Sequence, residues 1–155
     1  MTLVSYTDLA KMRLQDFVGR DVELELEESG LVTLVGLGGY EGLGETRFCW
    51  RQGEPYQTAG IGVDLGPKSL LPQPVAERII ASLGLAVRRG LRVAELVSIF
   101  GTPETDKPGR SGARLLRFIC GGQEQYLFGC VVDDQRGLVD FFLARKDYCD
   151  EDDSI

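Results

Sequence analysis

A thiol flanked by two guanidinium groups falls at alternating positions: Arg47, Cys49 and Arg51. Alternate residues of an extended segment share a face. Two guanidinium groups would then flank one thiol and lower its pKa toward the nucleophilic thiolate. Trp50 stands among them, and Tyr56 follows just past the Gly53-Glu54-Pro55 turn. Together with the glycine-dense stretch Gly36–Gly44 they outline a pocket for a small ligand. No general base or second cysteine stands near Cys49 in the sequence, so the competing reading is an inert thiol between solvated arginines. These five residues are candidate binding residues, and no catalytic set is assigned.

The other chemistry-bearing patterns fail on spacing. Val32 to Gly42 invites a nucleotide-binding reading, but a dinucleotide fingerprint requires G-x-G-x-x-G opening a helix whose N-terminus holds the pyrophosphate. Here Glu41 takes the last position, its charge repels phosphate, and a strand-like segment follows. The carboxylate pairs Glu27-Glu28 and Asp133-Asp134 lie at or next to expected turns, not in the distinct cleft environments that acid–base chemistry needs. The chain contains no histidine, which removes Ser-His and Cys-His pairs and His-ligated zinc. No metal-ligand or calcium-loop spacing occurs. Arg88, Arg89 and Arg92 form a small basic rim at a helix start. The expectation is a non-enzyme with no cofactor and no metal.

The elements that position these residues follow from periodicity. Ser5 and Asp8 make a helix-capping signal, and a first helix is expected from Thr7 to Val18, with Gly19 as its stop. Asp21–Glu28 alternates as a half-buried strand. Leu31–Leu37 continues it after the Ser29-Gly30 turn, Gly36–Gly44 reads as an irregular loop, and Glu45–Gln52 and Gln57–Leu65 read as strands. Gly66–Pro72 connects the halves. Helices are expected from Pro74 to Gly84 and from Arg92 to Phe100, the latter with Val93, Leu96, Val97 and Phe100 on one stripe. A polar loop containing Pro108, Gly109 and Gly112 leads into three strands, Ala113–Cys120, Glu124–Asp133 and Leu138–Lys146. Their short turns force antiparallel pairing.

Those last strands are apolar on both faces. Tyr126, Phe128, Cys130 and Val132 oppose Leu127 and Val131; Val139, Phe141 and Leu143 oppose Leu138, Phe142 and Ala144. A sheet covered on one face alone shows polar residues on the other. The second face therefore calls for a cover, either the N-terminal half or another chain.

Composition sets the outer limits. A chain of 155 residues, 43% hydrophobic and 26% charged, is one globular domain's worth of sequence. Net charge is −7, and Asp147, Asp150, Glu151, Asp152 and Asp153 supply five of those charges, leaving a body near −2. Clustered Lys and Arg, the signature of nucleic-acid binding, are missing. No apolar run reaches the ~20 residues of a membrane span, and Met1–Tyr6 has no basic or apolar signal region. The expectation is a cytoplasmic protein with four reduced cysteines (Cys49, Cys120, Cys130, Cys149) and a disordered acidic tail over 148–155. Residues 1–155 are expected to form a single domain, built as two halves, 1–66 with a helix and about four strands, and 67–147 as ααβββ. Its fold class is α+β, with antiparallel sheet and short helices packed on one face.

The order helix, helix, strand, strand, strand over residues 74–146 carries a motif: Gly90-Leu91-Arg92-Val93-Ala94-Glu95-Leu96-Val97, Phe100-Gly101-Thr102-Pro103, then Val132-Asp133-Asp134 and Gly137-Leu138-Val139. It resembles the BamE (SmpA/OmlA) and β-lactamase-inhibitor-like small domains of bacteria. The resemblance implies two helices on an antiparallel sheet and a role in binding other proteins without catalysis, such as an intracellular inhibitor or immunity-type protein. The partner would be another protein or a second copy of this chain, with no nucleic acid and no membrane. The alternatives are a ligand-binding protein or enzyme with a pocket near Trp50, and a self-associating structural subunit.

Overall fold

A computed structural model of the chain describes residues 1–13, 16–17, 32–34, 40–43, 46–50, 57–69 and 71–147, with the backbone alone in 32–34, 40–43 and 46–50. The first helix, α1, is Tyr6–Lys11. Ser5 caps it, its hydroxyl accepting from the Asp8 N–H at 3.1 Å. The expected continuation to Val18 does not form, because local side-chain bonds compete with the helix. The Arg13 N–H donates to the Asp16 carboxylate at 2.8 Å. The Arg13 guanidinium donates to the Ala10 and Met12 carbonyls, each at 2.8 Å, satisfying acceptors that a helix end leaves open.

Four strands follow: β1 (Val32–Leu34), β2 (Tyr40–Leu43), β3 (Thr46–Trp50) and β4 (Thr58–Asp64). They form an antiparallel meander. Tyr40–Leu43 was expected inside an irregular loop and is instead a strand. It is paired on one side with β1 and on the other with β3, and two ladders outweigh the weak strand preference of Gly42. The expected strand Asp21–Glu28, the glycines at 36, 38, 39 and 44, and the acidic tail 148–155 lie outside the described residues.

Helix α2 is Gln73–Leu83, burying Val75, Ala76, Ile79, Ile80 and Leu83. Gly84 ends it at φ 74°, a left-handed conformation that favours glycine. A Cβ there would also collide with the Thr2 carbonyl. Helix α3 is Val93–Phe100, opened by the Arg92 N–H donating to Glu95 Oε1 at 3.1 Å and closed by the Gly101 N–H bonding the Val97 carbonyl at 2.8 Å.

The polar loop expected after α3 contains a strand, β5 (Thr105–Pro108). It pairs with β6 (Arg114–Gly121) and is tied to it by an ion pair between Asp106 and Arg114. Strands β7 (Gln125–Asp133) and β8 (Gly137–Arg145) complete the sheet. The C-terminal half is thus ααββββ, one strand more than the expected ααβββ. Its edge strand is short and carries Lys107 and Pro108, which discourage further pairing.

The eight described strands belong to one sheet, in the order β1-β2-β3-β4-β8-β7-β6-β5. The two meanders join where β4 pairs antiparallel with β8, Ile61 opposite Leu143 and Val63 opposite Phe141. The fold is α+β with an antiparallel sheet. On the inner face Ile61, Val63, Leu116, Phe118, Phe128, Phe141 and Leu143 join the buried residues of the three described helices in one core. Phe100 of α3 stacks on Phe128 at 4.5 Å between centroids, and Phe128 on Phe141 at 5.5 Å. Such offset ring pairs add roughly 0.5–1.5 kcal/mol each beyond their buried area.

One residue pair changes sides relative to strict alternation. A register shift between Val131 and Val132 sets Val132 opposite Leu138. Leu138 is therefore fully buried in the core, and Val139 is the half-buried extra residue of the bulge. Among the described residues no helix is long and apolar enough to cross a membrane.

Candidate functional site

The sheet's outer face is where the packing is incomplete. Register aligns its residues in rows across the strands. One row runs Arg117, Gly129, Phe142, Gly62 and Arg47; the next runs Leu115, Val131, Asp140 and Asp64. At the other end of the face Leu127 and Ala144 are buried, at 8% and 0% exposure. Leu115 is 42% exposed, and Val131 and Phe142 are half-buried. The apolar face is thus covered at one end and bare at the other. Strands β1–β4 do not form a layer over it, because they extend the sheet in its own plane.

The groove in the bare part is shaped by glycines. A Cβ at Gly60 would come within 2.8 Å of Phe142 Cζ, and one at Gly62 within 3.1 Å of Phe142 Cδ2. The Phe142 ring therefore lies across β4, in the space those glycines leave. Gly129, the neighbour of Phe142 on the opposite side, has no described atom within 4 Å of where a Cβ would stand. The result is a shallow groove of about 250 Å³ with Leu115, Arg117, Val131, Asp140 and Phe142 around Gly129. A glycine inside a strand commonly marks the close approach of another backbone or a ligand. Arg117 and Asp140 are exposed and put one charge of each sign on the groove's two sides.

Of the residues expected to bind, Arg47, Cys49 and Trp50 are described by backbone alone, which fixes their register positions. Arg47 sits opposite Gly62 and Cys49 opposite Gly60, and a register shift falls between Cys49 and Trp50, which pairs with Thr58. Arg47 and Cys49 thereby take register positions in the same rows as Phe142 and Ala144. Arg51 and Tyr56 lie outside the described residues. Beside Thr58, a pocket of about 400 Å³ is lined by Tyr6, Lys11, Arg13, Gln57 and Arg145 among others. Two of its three cations are engaged in structure: Arg13 caps α1 and donates to the Thr58 hydroxyl at 3.3 Å, while Arg145 pairs with Asp147 at 2.6 Å and lies 4.3 Å above the Tyr6 ring. A cleft of about 340 Å³ between α2 and the Val87–Arg89 loop has an apolar floor of Leu65, Ala76, Ile80 and Val87. The basic rim anticipated there is tied down at two points, Arg88 to Glu95 at 3.7 Å and Arg92 to the Asp134 and Gln135 carbonyls.

The described thiols are poor nucleophiles. Cys120 and Cys130 are free, and burial pushes their pKa up, to about 11 and about 12. The Asp133 carboxylate is held below its usual range by the N–H groups of Arg136 and Gln135, which donate to it at 2.8 and 3.0 Å. That carboxylate builds the β7–β8 turn. Among the described residues no group of three or more His, Cys, Asp or Glu side chains is placed to hold a metal ion. The groove residues Leu115, Gly129 and Phe142 were not singled out by sequence reasoning. Their signals were present: the two-sided apolar pattern of the last strands, and a glycine at the centre of one of them. No family model, curated protein or solved structure matches this chain.

Proposed function

We propose that this chain is a non-catalytic protein-binding module that engages its partner through the outer face of β6, β7 and β8. One observation carries the reading: Leu115 stands exposed beside the uncovered Gly129, on strands whose opposite face packs Leu116, Phe118, Phe128, Phe141 and Leu143 into the core. An apolar patch rimmed by charges is the usual form of a protein-interaction surface. Burial raises the pKa of the Cys120 and Cys130 thiols, and the Asp133 carboxylate accepts from the β7–β8 turn. The resemblance of residues 74–146 to BamE-like and β-lactamase-inhibitor-like domains adds to the binding reading, since those domains act by binding proteins. An intracellular inhibitor or immunity-type protein fits this description.

The test is comparative capture. The wild-type chain and a Leu115→Lys variant are immobilised and exposed to lysate of the source cell at physiological salt. A protein held by the wild type, this chain itself included, and lost from the variant supports the reading. Identical capture profiles for the two would refute it.

A further inference from the structure

We propose that the cleft between α2 and the Val87–Arg89 loop binds a small aliphatic carboxylate, an alkyl chain ending in one anionic group. The site is separate from the outer sheet face, since none of its lining residues belongs to β6, β7 or β8. Ala76 and Ile80 stand one helical turn apart and share a stripe of α2. Leu65, just past β4, and Val87, in the loop after α2, complete an apolar floor with them. These four side chains are held firmly, at 3–8% exposure. The Leu65 N–H bonds the Val139 carbonyl at 2.8 Å, the Leu85 N–H the Ile80 carbonyl at 3.3 Å, and the Gly90 N–H the Leu138 carbonyl at 3.1 Å. Both walls are thus anchored, and the cleft is formed in advance, as small-molecule sites usually are.

The rim selects the head group. Glu77 accepts from Gln73 Nε2 at 3.2 Å, and Arg88 reaches Glu95 at 3.7 Å. Arg89 is exposed and makes no side-chain hydrogen bond or ion pair among the described residues. A free guanidinium matches a planar carboxylate through two parallel N–H donors. Glu77 on the same rim opposes a second negative charge, which disfavours a phosphate dianion. The apolar floor leaves the hydroxyls of a sugar without partners, a costly burial. Size fixes the tail. The volume of about 340 Å³ equals roughly eleven water volumes at ~30 Å³ each, room for about ten non-hydrogen atoms. Octanoate has that size, with its chain on the floor and its carboxylate at Arg89.

NMR titration of the full chain with octanoate, 1-octanol and acetate at ~0.15 M salt tests this directly. Octanoate should give saturable shifts confined to the methyl groups of Ala76, Ile80, Ala81 and Val87. Its Kd should be on the order of 0.1–1 mM, as about ten ligand atoms in an open cleft allow. Octanol, the same chain without charge, should bind about three- to fivefold more weakly, the worth of one exposed ion pair. Acetate should not bind. Arg89→Gln should remove octanoate's advantage and leave octanol unchanged, whereas a merely structural Arg89 would move both ligands together. Ala81→Phe, at an exposed position of α2 that lines the cleft, should weaken both ligands while the circular dichroism stays the same. No saturation by ~10 mM octanoate overturns the proposal, as do shifts scattered over the surface. An advantage over octanol that survives Arg89→Gln overturns it as well.

Discussion

Two glycines on the outer face, on β4 and β7 with β8 between them and in adjacent rows, should answer the same substitution with opposite signs. At Gly60 a methyl group would stand 2.8 Å from Phe142 Cζ and 3.1 Å from Ala144 Cβ, well inside the ~3.5–4.0 Å optimum for carbon pairs. Relieving that overlap turns the Phe142 ring, an overpacking cost of about 1–3 kcal/mol. Reduced freedom of the unfolded chain offsets about 0.4–1 kcal/mol. Gly60→Ala should therefore destabilise by about 1–2 kcal/mol. Gly129→Ala meets nothing within 4 Å, and neither glycine has a left-handed φ, so only the unfolded-state effect remains. It should stabilise by about 0.4–1 kcal/mol. Urea unfolding followed by circular dichroism reads both. The decisive arm is Gly60→Ala in a Phe142→Ala background, where the cost should fall, leaving the closer approaches to Ala144 Cβ and the Leu143 carbonyl. An undiminished cost there, or destabilisation by Gly129→Ala, refutes the assigned position of the Phe142 ring.

Three further outcomes follow from contacts elsewhere. Cys120 and Cys130 have pKa values raised by burial from 9.0 to about 11 and about 12. The unfolded chain loses those protons first, so the stability they leave intact below pH 9 should fall as pH rises through 11 and 12. The urea midpoint should drop over that window, and less steeply in a Cys120→Ala/Cys130→Ala variant. Arg13→Ala removes the donors to Ala10, Met12 and Thr58, and should cost about 1–3 kcal/mol in urea unfolding. Tyr126→Phe deletes the hydroxyl that donates to the Val4 carbonyl at 2.6 Å. It should cost about 0.5–1.5 kcal/mol and speed hydrogen exchange at Val4, whose N–H bonds the Leu83 carbonyl.

Where one face or one stripe of an element decides its burial, the sequence was readable. Val75, Ile79, Ile80 and Leu83 point α2 into the core, and Gly84 ends it as its position suggested. Strands β6, β7 and β8 fall within a residue or two of their expected bounds. The misses have one physical origin, bonding partners that are distant or unforeseen. Thr105–Pro108 is polar and becomes a strand only because the edge of β6 offers it a ladder. Tyr40–Leu43 is held by two neighbours despite its glycine. The stop of α1 depends on Arg13 turning back to the helix end, and the exchange of Leu138 for Val139 on a bulge that alternation alone does not signal. The groove was half legible. Two-sided apolarity announced a face in need of cover, but a bare Gly129 beside a Phe142 that leans the other way is a property of three strands together.

The seam between β4 and β8 also imposes an order of events on synthesis. Strand β4 finds its outer neighbour only when residues 140–144 exist, some 80 residues after β4 itself has been made. At ~5–20 residues per second this interval lasts roughly 4–16 s. Throughout it the segment Thr58–Asp64, with Ile61 and Val63 destined for zero exposure, presents an unpaired apolar edge. A nascent chain stalled before β8 would carry two half-sheets with no seam to join them, a substrate for chaperones and a seed for strand exchange between neighbouring copies. Strand β8, made long after β4, is the one that turns two meanders into one sheet.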